Sequence, residues 1–197
     1  DLVLSRPPRW AVTSTGRLLD LGPEDLSPRV RLLSGEEVLV CCGPRPATPA
    51  LPLDMFAWQF EAGQMTSGPW QPVPPESGIG ARGDRSCGGA VRMSSINAHP
   101  PSFGETTFRW LMSLPSAANT LALGYGVCGA HSGGVAFSVR VNHQSVWQDD
   151  MQAAGEHRTA TVDVHPYADR EILLELVTDS LGPADFDWAI WTKAELR

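Results

Sequence analysis

Nowhere in this 197-residue chain do lysines and arginines gather into a run, and 22 acidic residues outnumber 15 basic ones, for a formal net charge of -7. Without such a cluster nothing can displace the counterions of a phosphate backbone, so nucleic acid is excluded as a partner. No stretch approaches the roughly 18 to 20 consecutive apolar residues that a spanning helix needs. That excludes membrane insertion by a helix within the chain. Nor does the N-terminus show a basic region followed by an apolar one, so any export signal or anchor is expected upstream of residue 1. Cysteines are few: Cys41, Cys42, Cys87 and Cys128, with no C-x-x-C spacing, which argues against a thiolate zinc site or a redox motif.

What is present points to strands. Apolar residues make up 42% and charged residues 19%, with 17 prolines and 19 glycines, a balance that fits many short strands joined by turns around one main core. Residues 42–52 (CGPRPATPALP) carry four prolines, which fix φ and remove backbone donors. We therefore divide the chain into an N-terminal extension and linker, residues 1–52, with short strands such as Arg9 to Thr13 and Glu37 to Cys42, and a sandwich module, residues 53–197.

Within the module, alternation predicts strands at Met55 to Glu61, Thr107 to Leu114, Thr120 to Gly124 and Val135 to Val141. In the first, Phe56, Trp58 and Phe60 share a face; in the second, Phe108, Trp110, Met112 and Leu114 do. The polar residues Asn142 to Ser145 predict a hairpin turn into Val146-Trp147. Thr159 to Val164, Glu171 to Thr178 and Asp187 to Lys193 follow, each bounded by turn residues. Strands without a long helix imply an all-β, two-sheet antiparallel sandwich. Cys87 and Cys128 each lie beside turn glycines, and form either a disulfide in an oxidising compartment or buried free thiols.

Five motifs occur in order: Ser95 to Pro100 (SINAHP), Ser113 to Pro115 (SLP), Gly134 to Asn142 (GVAFSVRVN), Thr161 to Val164 (TVDV) and Asp185 to Trp191 (DFDWAIW). In these, residues 53–197 resemble the NPCBM family, a novel putative carbohydrate-binding module found beside glycoside hydrolases including the family-98 enzymes. The resemblance implies a galactose-binding-like jelly roll that recognises terminal sugars at loops on one end, and no catalysis. Similar chains often carry Gly in the turn that here reads Asn142-His143-Gln144-Ser145.

Sugar binding needs an aromatic face for the C–H surface of the ring and polar groups for its hydroxyls. Trp58, Trp110 and Trp188 fall on inward faces of their predicted strands and are expected in the core. Trp70, Trp147 and Trp191 are the platform candidates, with Asn142, His143 and Asp149 as polar partners. His99 and Asp187, both in family-like motifs, are expected to meet as a structural imidazole-carboxylate pair. Ser95 and Ser102 lie near His99 in sequence, but no Gly-x-Ser-x-Gly elbow accompanies them. Asp185 and Asp187, two apart on a predicted strand, should face one side with Cα atoms roughly 7 Å apart, a permissive spacing for paired glycosidase carboxylates and nothing more. No other cofactor is expected; a structural calcium, fed by Asp179, Asp185 or Glu175, is common in such jelly rolls, and its ligands stay unassigned. Arg82-Gly83-Asp84 is expected on an exposed loop, where a three-residue adhesion match carries little information. The chain thus reads as a non-catalytic carbohydrate-binding module of a secreted or envelope protein. The alternatives are a scaffold domain that binds an envelope protein and no sugar, and an accessory domain of a glycoside hydrolase.

Overall fold

The computed structural model describes residues 10–13, 18–20, 38–40, 48–58, 60–66, 68–86, 92–128, 133–152, 155–185 and 187–197. Strands β1 (Trp10–Thr13), β2 (Leu18–Asp20) and β3 (Val38–Val40) form a small antiparallel sheet in the order β2-β1-β3. The rest of residues 1–47 lies outside the described residues, as does most of the proline-rich stretch.

The following strands are β4 (Leu53–Asp54), β5 (Glu61–Met65), β6 (Gln71–Pro72), β7 (Arg82–Ser86), β8 (Arg92–Asn97), β9 (Glu105–Ser113), β10 (Thr120–Val127), β11 (Val135–Val141), β12 (Gln144–Met151), β13 (His157–Asp163), β14 (Glu171–Ser180) and β15 (Ala189–Leu196). They make two antiparallel sheets, one in the order β13-β10-β15-β8-β7 with β4 also on β15, the other β12-β11-β14-β9-β5-β6. The fold is therefore the all-β, two-sheet sandwich that the sequence predicts.

Period-2 alternation builds the core. Leu121, Leu123, Tyr125 and Val127 of β10 and Trp191, Ala194 and Leu196 of β15 face Phe108, Trp110 and Met112 of β9, Val135, Phe137, Val139 and Val141 of β11, and Ile172, Leu174 and Leu176 of β14. The predicted faces of β9 and β11 are the observed ones. Residues 55–61 differ. Met55–Ala57 is a 3-10 turn, begun by Asp54, whose side chain accepts from the Phe56 amide at 3.0 Å, and the strand starts only at Glu61. Cross-turn aromatic packing replaces the strand face: Phe60 meets Phe108 edge-on at 5.5 Å and Trp110 at 5.6 Å. Trp58 packs half-buried against the core and Trp110 is buried, both as expected.

The β11–β12 hairpin is tighter than predicted. Val141 pairs with Gln144, so the loop is the two residues Asn142 and His143, both at positive φ (51° and 64°) as a type I′ turn requires, and Gln144 and Ser145 already belong to β12. Arg82-Gly83-Asp84 is also corrected. It lies in β7, an edge strand paired with β8 and exposed, rather than in a loop.

Candidate functional site

The phase of the chain around residue 188 decides where an exposed aromatic sits. Trp188 is 52% exposed and Trp191 wholly buried, the reverse of the sequence expectation. A three-residue turn precedes β15, its Ala189 amide donating to the Asp187 carbonyl at 2.6 Å; from there Ala189 and Trp191 face the core, so Trp188 and Ile190 take the other face. Trp191 then packs edge-on against Phe137 at 5.1 Å, in the core, and is no platform.

Neighbouring strands hold this turn. The Cys128 amide donates to the Trp188 carbonyl at 2.9 Å, and the Ala98 amide to that of Ala189 at 2.9 Å. Asp187 is buried; its Oδ2 accepts from Ser180 Oγ at 2.8 Å and its Oδ1 from the Gly133 amide at 3.0 Å. His99 and Asp187 do meet, but through Asp187's carbonyl oxygen, 2.7 Å from His99 Nδ1, and not through its carboxylate. A carbonyl only accepts, so Nδ1 carries the proton and a neutral ring keeps its lone pair on Nε2. Asp185 is exposed and Asp187 buried, so the two do not share a side.

Trp188 walls a cavity of about 210 Å³ that is also lined by Ile79, Arg85, Asn97, His99, Cys128 and Ile190. Register explains the grouping: Ile190 is opposite Asn97, and Arg85 opposite Met93, placing Arg85, Asn97 and Ile190 on one sheet face. The Asn97 amide is oriented by donating from Nδ2 to the Gly78 carbonyl at 2.9 Å. Cys128 is disulfide-bonded; Cys87, its expected partner, lies outside the described residues.

A slightly larger cavity, about 240 Å³, is lined by Asp54, Phe56, Arg82, Ser94, Lys193 and Glu195. It lacks an exposed aromatic, since Phe56 is buried. Its carboxylates are occupied: Asp54 caps Phe56, and Glu195 pairs with Arg197 and, at 3.6 Å, with Lys193. The Trp188 cavity is therefore the better ligand site.

The other sequence candidates make contacts within the fold and lie away from the Trp188 cavity. Trp70 lies over Gly63, its ring occupying the space a Cβ there would take, and the Arg109 guanidinium stacks on it at 4.3 Å. Trp147 folds edge-on to Tyr125 at 5.2 Å. Asp149 accepts from the Tyr125 hydroxyl at 2.8 Å and from Arg158 at 2.9 Å. Burial, with Asp149's acceptor and negative charge, pushes the Tyr125 phenol well above its ordinary range. Asn142 is committed by its turn and by both backbone groups of Leu173, while His143 Nδ1 stands 2.8 Å from Glu175 Oε2. Glu175 is held by Arg109 at 3.0 Å, so it is not a free metal ligand, and among the described residues no three His, Cys, Asp or Glu side chains converge on a metal site.

No family model matches the chain, and no curated protein matches it in sequence. It is similar in structure to several solved proteins. One is CBM51 from Clostridium perfringens in complex with methyl-galactose, at 15% identity and a TM-score of 0.49, covering 74% of this chain and 99% of that one. A second is the K1 cleaved adhesin domain of Lys-gingipain from Porphyromonas gingivalis, at 12% identity and a TM-score of 0.41, covering 71% and 98%. A third is the C-terminal CBM6 of a laminarinase from Zobellia galactanivorans, at 13% identity and a TM-score of 0.32, covering 58% and 86%.

Sequence reasoning missed Trp188, Arg85 and Asn97. Polar content could have flagged Asn97 beside His99, whereas Trp188 was missed because the alternation through residue 191 was read in the opposite phase.

Proposed function

We propose that the sandwich is a non-catalytic carbohydrate-binding module, of the NPCBM type its motifs resemble, and that one terminal sugar ring rests on Trp188. The observation that carries this reading is an exposed indole on the wall of a cavity whose other walls offer a guanidinium, an amide and an imidazole. Such a set provides an apolar face for the sugar's C–H surface, donors from Arg85, and an acceptor at His99 Nε2. At about 210 Å³ the cavity is below the roughly 300 to 1,000 Å³ of drug-sized sites, a scale suited to a single ring. Among the described residues lining it there is no carboxylate, which favours binding over the paired-acid chemistry of a glycosidase. The disulfide at Cys128 supports an extracellular or envelope location.

With one aromatic contact, affinity is expected to be weak, on the order of 0.1 to 1 mM. Isothermal titration against terminal-hexose, N-acetylhexosamine and uronic-acid oligosaccharides tests this. Saturable binding that Trp188→Ala abolishes and Trp147→Ala preserves is the expected result; binding that survives Trp188→Ala places the ligand elsewhere. The scaffold alternative is favoured by the exposed edge of β7, whose one paired neighbour among the described residues is β8. It gains if every sugar fails while the protein stays folded.

A further inference from the structure

Resting on the carbohydrate reading, we propose that the Trp188 pocket selects a sugar bearing an anionic group, a carboxylate or a sulfate, over its neutral counterpart. Charge balance at the wall carries the argument. Among the described residues Arg85 is the one Asp, Glu, Lys or Arg that lines the cavity, in a chain whose formal net charge is -7. Positions 87–91 (CGGAV) and 129–132 (GAHS), which adjoin Arg85's strand and Cys128 in sequence, bring no acidic residue either.

Arg85 is moreover uncommitted. Arg109, Arg140 and Arg158 each hold a carboxylate, whereas among the described residues Arg85 has no ion pair. A guanidinium presents a planar fork of N–H donors that matches two oxygens of a carboxylate or sulfate, and charge-assisted bonds of that kind are roughly twice as strong as neutral ones. A neutral hexose would engage the fork only through hydroxyls and leave its charge uncompensated.

The remaining polar walls suit the rest of such a ring. His99 Nε2 accepts from a hydroxyl, because Nδ1 is occupied by the Asp187 carbonyl, and Asn97 keeps a carbonyl oxygen free of the bond that orients its amide nitrogen. The larger cavity makes the contrast plain. Its lining sets Asp54 and Glu195 against Arg82 and Lys193, a balanced wall rather than a lone guanidinium.

Matched pairs differing in one group test the proposal on the full chain: methyl β-glucuronide against methyl β-glucoside, methyl β-galacturonide against methyl β-galactoside, and glucose 6-sulfate as the sulfate arm. Calorimetry at low ionic strength should show at least one charged ligand binding about tenfold or more tightly than its neutral partner, with the preference largely lost in 1 M salt. Arg85→Gln should bring the pair within about twofold, and Arg85→Lys should retain part of the preference, since it keeps the charge without the fork. Equal binding of charged and neutral partners, or a preference that persists in Arg85→Gln, overturns the anionic selectivity while neutral binding upholds the module. Failure of all these ligands and of the neutral oligosaccharides overturns both.

Discussion

Asp187 is wholly buried, and its two carboxylate oxygens are engaged by the Ser180 hydroxyl and the Gly133 amide, while its carbonyl takes bonds from Ala189 and His99. One residue thereby ties together the turn that exposes Trp188, the imidazole of the pocket and the chain leading into β11. Asp187→Ala removes the acceptor of the Gly133 amide and one of two acceptors of the Ser180 hydroxyl, which keeps the Gly182 carbonyl at 2.6 Å, and empties a wholly buried position. A loss of about 1 to 3 kcal/mol is expected by chemical denaturation, together with weaker sugar binding although the side chain does not line the pocket. Trp188→Ala should separate the two effects, since a half-exposed ring contributes little to folding. It should lower stability by less than about 1 kcal/mol while abolishing binding. Equal destabilisation by both variants would mean that Trp188 is part of the core after all.

At the level of elements, legibility followed apolar-polar alternation. β9 and β11 alternate in sequence and their inward residues were readable, whereas β14, buried on both faces, showed as a strand without a face. The short strands β4, β6 and β7 carry too few residues for a period to show. Trp188 and Trp191, three apart, must lie on opposite faces of a pleated strand, and the run Ala189-Ile190-Trp191 is apolar on both faces, which hides which one turns to the core. A second hidden feature is the outer face of the β9–β14 pair, where Arg109 and Glu175 sit opposite one another and are both buried, with Arg140 gripping Glu105 at 2.6 and 2.7 Å alongside. Burial pushes the Arg109 guanidinium down from its ordinary value despite the opposing pull of Glu175. Arg109→Ala should therefore cost about 3 to 5 kcal/mol, because it takes the guanidinium from a 1%-exposed carboxylate and leaves His143 beside it. The double variant Arg109→Met, Glu175→Leu should recover much of that loss. A single-variant cost below about 1 kcal/mol would mean that water reaches Glu175.

Across the whole molecule, a two-layer sandwich is open wherever the edge strands of its two sheets leave a seam, and β12 and β13 are such edges. Tyr125 of β10, Asp149 of β12 and Arg158 of β13 bridge that seam, with Trp147 covering the Tyr125 ring. The tie depends on protonation. Tyr125's phenol is raised in the folded state from an ordinary value near 10, so above that pH the unfolded chain gives up a proton that the folded one retains. Unfolding then releases a proton, and stability falls with rising pH by up to about 1.4 kcal/mol per pH unit from this group. Below pH 10 the contribution is full. Tyr125→Phe removes the titrating group and also leaves Asp149 to Arg158 alone. It should be less stable than the parent at pH 8, with a shallower decline between pH 10 and 11.5. Denaturation midpoints across that window, paired with phenolate absorbance of the parent, decide the matter. Tyr125 ionising in the folded protein at its ordinary pH, before any unfolding, would show that the seam is open to solvent and that the bridge does not close the sandwich.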